Sequence, residues 1–551
     1  MKRWTFLVMA VAWGCEAPPA PAGAPPEAAA EALDAAEIRE HMRVLSSDEY
    51  MGRGPGHPGG EMAAQYIADR FREFGLEPVD GSYFQTVPMI GTTPVPSSVS
   101  LSFQGPQGST TPAYLDDMVF YSGDPRGPPV EVEAEVVFAG YGIHAPENDW
   151  NDFDGVDVTG KILLILVSDP PAPEAEPELF GGPAMTYYGR WTYKYEEAAR
   201  QGAAGALIVH ETEPAGYPWS VVRGGWSGEQ FALPPDPAGP SPVPFVGWVS
   251  RDAASALLAS GGLDYEELKA RAASRDFQAV PTGVTGRATV ESQVREVETA
   301  NVVGLIPGTA RPDEVVTITS HYDHFGVGEP VEGDSIYNGA YDNASGTALL
   351  IAMAHAVSSA GSVPERSLLF IATAAEEAGL LGAHGYVQSP LFPLNRTVAE
   401  VNVDGANLWG ETDDVIVQGA ERNELGAFAQ QRADAMGLTV MPDAEPEKGF
   451  FFRSDHFPFA LAGVPSLYFE HGRRYRGRPE GWGDSIQAAY TALHYHAPSD
   501  EFSEDFVFEG ALQQGRIALL TALDIANATT WPNWFEGSEF KAARDRMMSG
   551  S

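Results

Sequence analysis

The chain has 551 residues, and its 34 Lys and Arg against 76 Asp and Glu give a formal net charge of −42 at pH 7. Phosphate contacts need clustered Lys and Arg, so a surface this acidic excludes a general nucleic-acid binder. It also disfavours an anionic bilayer, and the charge is read as solubility. At roughly 150 residues per domain the length predicts about three or four domain-sized units. A hydrophobic fraction of 44% supplies ample core, and the single cysteine, Cys15, rules out disulfides within the chain.

Met1-Lys2-Arg3 precede a mostly apolar run from Trp4 to Trp13, then Gly14-Cys15. A basic patch followed by about ten apolar residues reads as a secretory signal, too short to span a bilayer as a mature helix. It resembles a bacterial lipoprotein signal, in which the cysteine is lipidated and becomes the new N-terminus. Ala12 and Trp13 depart from the usual Leu and small residue before Gly-Cys. Residues 1–15 are thus expected to be a lipoprotein-type signal with Cys15 as lipidation site. That implies an exported protein facing the periplasm or the cell surface; the alternative is a soluble secreted protein. The Pro/Ala/Glu-rich stretch 16–34 reads as a flexible tether. No later segment has about eighteen apolar residues in a row, so no transmembrane helix is predicted and the membrane is met only through a lipid anchor.

Ile38, Met42 and Leu45 fall on one helical face, and a longer helix is predicted over 60–74 with Met62, Tyr66, Ile67, Phe71 and Phe74 on its apolar side and Gly75 as stop. Residues 83–140 read as strand-rich. A second unit, 125–285, holds Val136 to Gly142, the run Ile162 to Val167, a helix over Tyr193–Arg200 and the run Ala206 to Val209. Strands separated by Gly turns and a helix predict a compact α+β, β-rich insert. It resembles the protease-associated domain inserted in several exopeptidases, and no catalytic set is found within it. From about Val297 apolar strands alternate with amphipathic helices, which predicts α/β structure with a mostly parallel central sheet flanked by helices.

Three of these strands stop at metal-ligand residues. Val315 to Ser320 runs into His321-Tyr322-Asp323-His324, Ser367 to Thr373 into Ala374-Ala375-Glu376-Glu377, and Val398 to Val403 into Asp404-Gly405. Ligands of open α/β sheets bind outside the carboxyl ends of strands. Two further segments join them: Asn338 to Gly346, with Asp342, before a helix over 347–358, and Tyr495-His496-Ala497-Pro498-Ser499-Asp500. The candidate set is His321, Asp342, Glu377, Asp404 and His496. Two imidazoles and three carboxylates without a thiolate suit Zn²⁺ or Mn²⁺. A single catalytic zinc needs only three ligands. One carboxylate bridging two metals, with two private ligands for each, uses all of them.

His-x-Asp after a strand, Asp-Asn-Ala-Ser-Gly, Glu-Glu-Ala-Gly-Leu-Leu-Gly, a strand-terminal Asp and a late Tyr-His together resemble metallopeptidase family 28, the two-zinc aminopeptidases. The resemblance implies a zinc-exopeptidase catalytic domain over 35–124 and 286–535, interrupted by the 125–285 insert. It implies two Zn²⁺, with Mn²⁺ or Co²⁺ as alternatives. Asp342 would bridge them, His321 and Asp404 would complete one site, and Glu377 and His496 the other. The reaction implied is hydrolysis of N-terminal peptide bonds, on peptides with a free N-terminus, through a metal-bridging water with Glu376 as general base. Tyr341 departs from the acidic residue common at that position in relatives.

Asp323 is the natural partner for the second imidazole nitrogen of His321, and Tyr495 is placed to donate to a developing oxyanion. Asp455 and His456, in Phe450 to His456, are read as supporting or pocket-wall groups, with Arg453 a weaker candidate. The basic stretch Gly472 to Arg478 is read as a solvated loop, or as a rim meeting a substrate carboxylate. His324, His355 and His384 are read as surface or core histidines. No Gly-x-Ser-x-Gly, Walker-type or His-Glu-x-x-His motif occurs. The rival readings are a one-zinc glutaminyl cyclase-like acyltransferase, a carboxypeptidase on the same scaffold, and a non-catalytic binding module.

Overall fold

The computed structural model describes residues 24–173, 176–235 and 239–550. The expected signal and Cys15 lie outside the described residues. Two mixed sheets organise the chain. The first has nine strands, in the spatial order Gln230–Ala232, Phe84–Pro94, Ser292–Ile306, Arg366–Thr373, Arg311–His321, Thr397–Asn402, Ser466–His471, Asp414–Gln418 and Thr439–Met441. Its centre is parallel, from Arg366–Thr373 through Arg311–His321 and Thr397–Asn402 to Ser466–His471. Antiparallel pairs flank that centre. The α/β architecture with a parallel core, expected from the alternation of apolar strands and helices, is the one observed.

The central strands are near-continuous apolar runs because both faces are covered. Leu368 to Ala372 are wholly buried. Helix Gly346–Ala360 is buried on almost every side, its residues Ala348 to Ala354 being inaccessible to solvent. An all-round apolar helix of this kind belongs inside a protein. It shares one core with helices Ala35–Leu45 and Glu509–Asn527 and with the parallel strands. Helix Pro58–Glu73 packs Ile67 and Phe71 into the same core, whereas Met62, expected on its apolar side, is 36% exposed.

Residues expected to form a flexible tether are partly ordered. Pro26–Ala32 is a helix whose Ala29 and Ala30 are buried. Ala24 N–H donates to Gly361 O at 2.9 Å and Ser362 Oγ to Pro25 O at 2.9 Å. The Pro/Ala/Glu composition that suggests a tether also suits a short helix: Pro fits the first turn, Ala has the best helix propensity, and its small side chain allows close docking.

The second sheet has eight strands, in the order Gly108–Thr110, Ser100–Gly105, Val280–Val290, Val130–Phe138, Ile162–Leu166, Gly205–His210, Phe245–Ser250 and Met118–Ser122. The strand-rich stretch 83–140 therefore divides between the sheets, and strands before residue 125 lie in the second one. The cause is one long antiparallel ribbon. Phe84–Pro94 pairs with Ser292–Ile306 in the first sheet, and the same two chain segments continue as Ser100–Gly105 against Val280–Val290 in the second. Gln230–Ala232 then crosses back to pair with Ile90 to Thr92 at the edge of the first sheet. Among the described residues no helix is long and apolar enough to cross a membrane.

Candidate metal centre

The carboxyl ends of the parallel strands converge on one acidic cluster. His321 closes the strand Arg311–His321, Glu376 and Glu377 follow Arg366–Thr373, and Asp404 follows Thr397–Asn402. Asp342 lies in the turn Ala340–Ser345 that enters helix Gly346–Ala360. Gly339 sets that turn: its φ is +53°, and a Cβ there would lie 2.2 Å from Asp342 O and 2.5 Å from the His324 ring. His496 comes from the loop after helix Trp482–Leu493.

All of the proposed ligands meet. Nε2 of His321 lies 3.2 Å from Asp404 Oδ1 and 3.5 Å from Asp342 Oδ1. Nε2 of His496 lies 3.4 Å from Asp342 Oδ2 and 3.2 Å from Glu377 Oε2. Asp342 thus turns one oxygen to each imidazole. Donor atoms on a tetrahedral ion with bonds of about 2.0–2.1 Å stand roughly 3.3 Å apart, so these spacings fit one ion on each side of Asp342. Glu376 Oε2 is farther from His321 Nε2, at 3.9 Å, although His321, Glu376 and Asp404 also lie close enough to share an ion.

Groups behind the ligands hold them in place. The Asp323 carboxylate accepts from Glu376 N–H at 3.0 Å and Glu377 N–H at 3.3 Å. Nδ1 of His321 lies 3.3 Å from Asp323 O and 3.7 Å from its Oδ1. Ser454 Oγ donates to Asp404 Oδ2 at 2.6 Å, and Tyr468 O–H to Asp404 O at 2.9 Å. Asp500, four residues after His496, accepts from the N–H groups of Tyr341 and Asp342, both at 3.0 Å, and so ties two ligand loops together.

Ser454, Asp500 and two further groups went unassigned in the sequence. His324, read there as a surface or core histidine, is fully buried with Nδ1 2.6 Å from Glu377 Oε1. Arg53 is also fully buried, and its guanidinium donates to the carbonyls of Tyr322, Leu45, Asn338 and Gly339 at 2.6–2.9 Å. Only the proximity of Asp500 to His496, and of His324 to His321, offered a signal for any of them.

The electrostatics show what such a cluster requires. Burial pushes Glu376 well above the ordinary carboxylate range; His321 opposes this, and Asp404 and Asp455 reinforce it. Burial also raises Glu377, with Asp342 and Glu376 adding to the effect. Asp342 moves the other way: burial alone would raise it, but His321 and His496 on its two oxygens hold it well below its usual value. Two imidazoles cannot balance so many carboxylates, whereas divalent cations do. Burial lowers Arg53 only to about 10, so its positive charge persists behind the acidic cluster.

The remaining predicted residues divide. Tyr495 stacks on His496 with ring centroids 3.7 Å apart, and burial followed by Asp342 and Glu377 raises its phenol well above the normal value, so it keeps its proton. Asp455 accepts from Thr373 O–H behind the cluster. His456 contacts the rings of Phe451 and Tyr468, and burial lowers it to about 3, so it is a neutral wall group. Tyr341, with its O–H 3.1 Å from His471 Nε2, lines the cleft beside Asp342. Arg474 and Arg476 pair with Asp414, Glu411 and Asp413, and Arg478 lies over Trp482, while Arg473 lines the cleft. His355 stacks on Phe74, and His384 lines a second cleft.

Fold and centre together define an α/β protein with an imidazole–carboxylate metal site at its strand ends. Residues 301–515 match Peptidase family M28, and this segment carries the whole ligand set. Aminopeptidase NAALADL1 of Mus musculus is 26% identical over 428 residues, covering 68% of this chain and 53% of the relative. Aminopeptidase YwaD of Bacillus subtilis (strain 168) is 27% identical over 219 residues, 39% of this chain and 42% of the relative. The chain thus spans about half the length of these relatives. The solved aminopeptidase from Aneurinibacillus sp. strain AM-1 shares the fold, with a TM-score of 0.52 at 20% identity over 92% of this chain and 97% of that one.

Proposed function

We propose that the protein is an exported metal-dependent aminopeptidase that hydrolyses the first peptide bond of peptides with a free N-terminus. The observation that carries this reading is Asp342, with one oxygen facing His321 and the other facing His496. His321 and Asp404 would hold one ion, Glu377 and His496 a second, and Asp342 both. Names of similar proteins, including aminopeptidase NAALADL1 and aminopeptidase YwaD, support a peptidase. Export rests on the basic-apolar-Cys15 pattern of the N-terminus.

When bound, such a pair of divalent cations polarises a carbonyl and makes a water molecule acidic. This chain's own residues supply the rest. Glu376 takes the proton from the attacking water and passes it to the leaving amine as the C–N bond breaks. Burial of its carboxyl suits it to hold that proton between the two events. Tyr495, which stays protonated, donates to the charge developing on the carbonyl oxygen. Asp323 keeps Glu376 and Glu377 in register through their backbone N–H groups. The acid-rich walls favour a protonated α-amine over a blocked one.

The test is a panel of aminoacyl and N-acetyl-aminoacyl nitroanilides, with elemental analysis of the purified protein. Free substrates are expected to be cleaved at least about 100-fold faster than blocked ones, because an acylated amine leaves the acidic wall without its cation. Chelation is expected to abolish turnover and to lower the unfolding temperature, and Zn²⁺ to restore both. Equal cleavage of free and blocked substrates overturns the aminopeptidase reading, and activity indifferent to chelator overturns the metal.

A further inference from the structure

The parallel core carries polar side chains where strands covered on both faces are expected to be apolar. Thr319 sits on the strand Arg311–His321, and Glu400 and Asn402 on its neighbour Thr397–Asn402, where Asn402 is the partner of Thr319. Glu400 and Asn402 are two positions apart and so share a face of the sheet. All three side chains are inaccessible to solvent.

They form one chain of hydrogen-bond contacts that ends on a metal ligand. Glu400 Oε1 lies 2.6 Å from Thr319 Oγ1, and Thr319 Oγ1 lies 2.7 Å from Asn402 Oδ1. Asn402 Nδ2 donates to Ser454 Oγ at 2.7 Å, and Ser454 Oγ donates to Asp404 Oδ2 at 2.6 Å. Ser454 stands just before helix His456–Leu461, which packs on the strand Thr397–Asn402.

The hydrogens available fix the direction of this chain. A carboxylate that ligates a cation only accepts, so the one hydroxyl hydrogen of Ser454 goes to Asp404. Ser454 therefore accepts from Asn402, whose amide turns its NH₂ to Ser454 and its oxygen to Thr319. The one hydroxyl hydrogen of Thr319 then goes to Asn402. None is left for the contact between Thr319 and Glu400, so Glu400 supplies it as the protonated acid. An ionised Glu400 would set lone pair against lone pair at one link. Otherwise it would turn the amide round and draw the hydrogen of Ser454 away from Asp404.

The surroundings of Glu400 agree with a neutral acid. Its Oε2 is buried without a hydrogen-bond partner, which is costly for an ionised carboxylate. Burial drives the carboxyl well above the ordinary range, against the opposing effect of Thr319, and the nearby acid Asp455 adds to the rise.

We propose that Glu400 is a positioning residue, held as the neutral acid, that acts through Thr319, Asn402 and Ser454 to commit one oxygen of Asp404 to Ser454 and leave the other for the ion shared with His321. The oxygen left free is Oδ1, 3.2 Å from His321 Nε2. This rests on the reading of the metal centre above.

The test has two arms, both on the full chain at neutral pH. In the first, the infrared difference spectrum of wild type minus Glu400→Gln is expected to show the C=O stretch of a protonated carboxyl in the wild type alone. Gln offers an N–H to Thr319 in the same direction, so this variant is expected to keep kcat/KM and both zinc affinities within about twofold. In the second, Thr319→Val removes the hydroxyl and breaks the chain. It is expected to weaken one zinc step of a calorimetric titration at least about tenfold and to leave the other unchanged, with Thr319→Ser restoring the affected step. A difference spectrum without the protonated band shows an ionised Glu400 and overturns this role, as does a Glu400→Gln protein that does not fold. Two wild-type zinc steps in Thr319→Val overturn it as well. Equal weakening of both steps also overturns it, because that is a structural effect. The infrared arm needs no Thr319 variant to fold. A wild type that binds no zinc removes the metal centre and the role of Glu400 with it, whereas a missing band beside two intact zinc steps removes the role of Glu400 alone.

Discussion

Glu376→Gln is expected to keep the metal content of the wild type while lowering kcat about 10³-fold, within the range of roughly 10²–10⁴ for loss of a general base. The short donor contacts of the centre involve His321, Asp342, Glu377, Asp404 and His496, and Glu376 stands outside them at 3.9 Å from His321. Its backbone is anchored through its own N–H, which donates to Asp323, a contact that the change to an amide side chain leaves intact. Gln matches Glu in size but cannot take up the proton. The result has a clear alternative. Glu376 also lies within reach of an ion between His321 and Asp404, and if the variant loses metal in elemental analysis, Glu376 is a ligand. Near-native turnover with full metal would remove it from the mechanism.

Arg53→Met is expected to destabilise the protein by more than about 4 kcal/mol, since hydrogen bonds from a charged donor contribute roughly 1.5–3 kcal/mol each and several are lost together. The guanidinium bonds to carbonyls from three separate stretches: Leu45, Tyr322, and Asn338 with Gly339. Tyr322 adjoins His321, and Gly339 opens the turn that carries Asp342, so Arg53 fixes the spacing between two ligand loops. Met fills the space but satisfies none of the carbonyls, and Arg53→Lys, with a point charge instead of a planar fork, is expected to recover only part of the loss. The measurement is thermal unfolding alongside a zinc titration. Both are expected to move, because loops that drift apart bind metal more weakly. A variant with wild-type unfolding and wild-type zinc affinity would show that the loops hold themselves.

Arg53 also marks where the sequence stops being legible. His321, Glu376, Glu377 and Asp404 follow β-branched or apolar strands, and a strand end in a parallel sheet is a place that local pattern can find. The supports of these residues are found only in three dimensions. Arg53 sits in Met51-Gly52-Arg53-Gly54, which reads as a loop cation, and it bonds residues more than 250 positions away. His324 looks like any loop histidine until the fold brings Glu377 against it. Composition misleads in the same way at Pro26–Ala32, where a low-complexity stretch docks because Ala is small. The three residues Gln230–Ala232 are too short to announce themselves as a strand, and pairing with a distant edge is what makes them one.

That three-residue strand has a mechanical consequence. The two sheets are joined by a double-stranded ribbon, which bends more easily than it stretches. Gln230–Ala232 straps the far unit to Ile90, Gly91 and Thr92 beside it. Flexing of the ribbon that widened the cleft between the two units would have to part this strap together with the Met185–Pro446 and Tyr187–Phe457 contacts. The amide protons of Phe231 and its neighbours are therefore a built-in gauge of how often the molecule gapes, and their exchange with deuterium is expected to slow when a peptide fills the gap and to stay unchanged if the jaws are rigid.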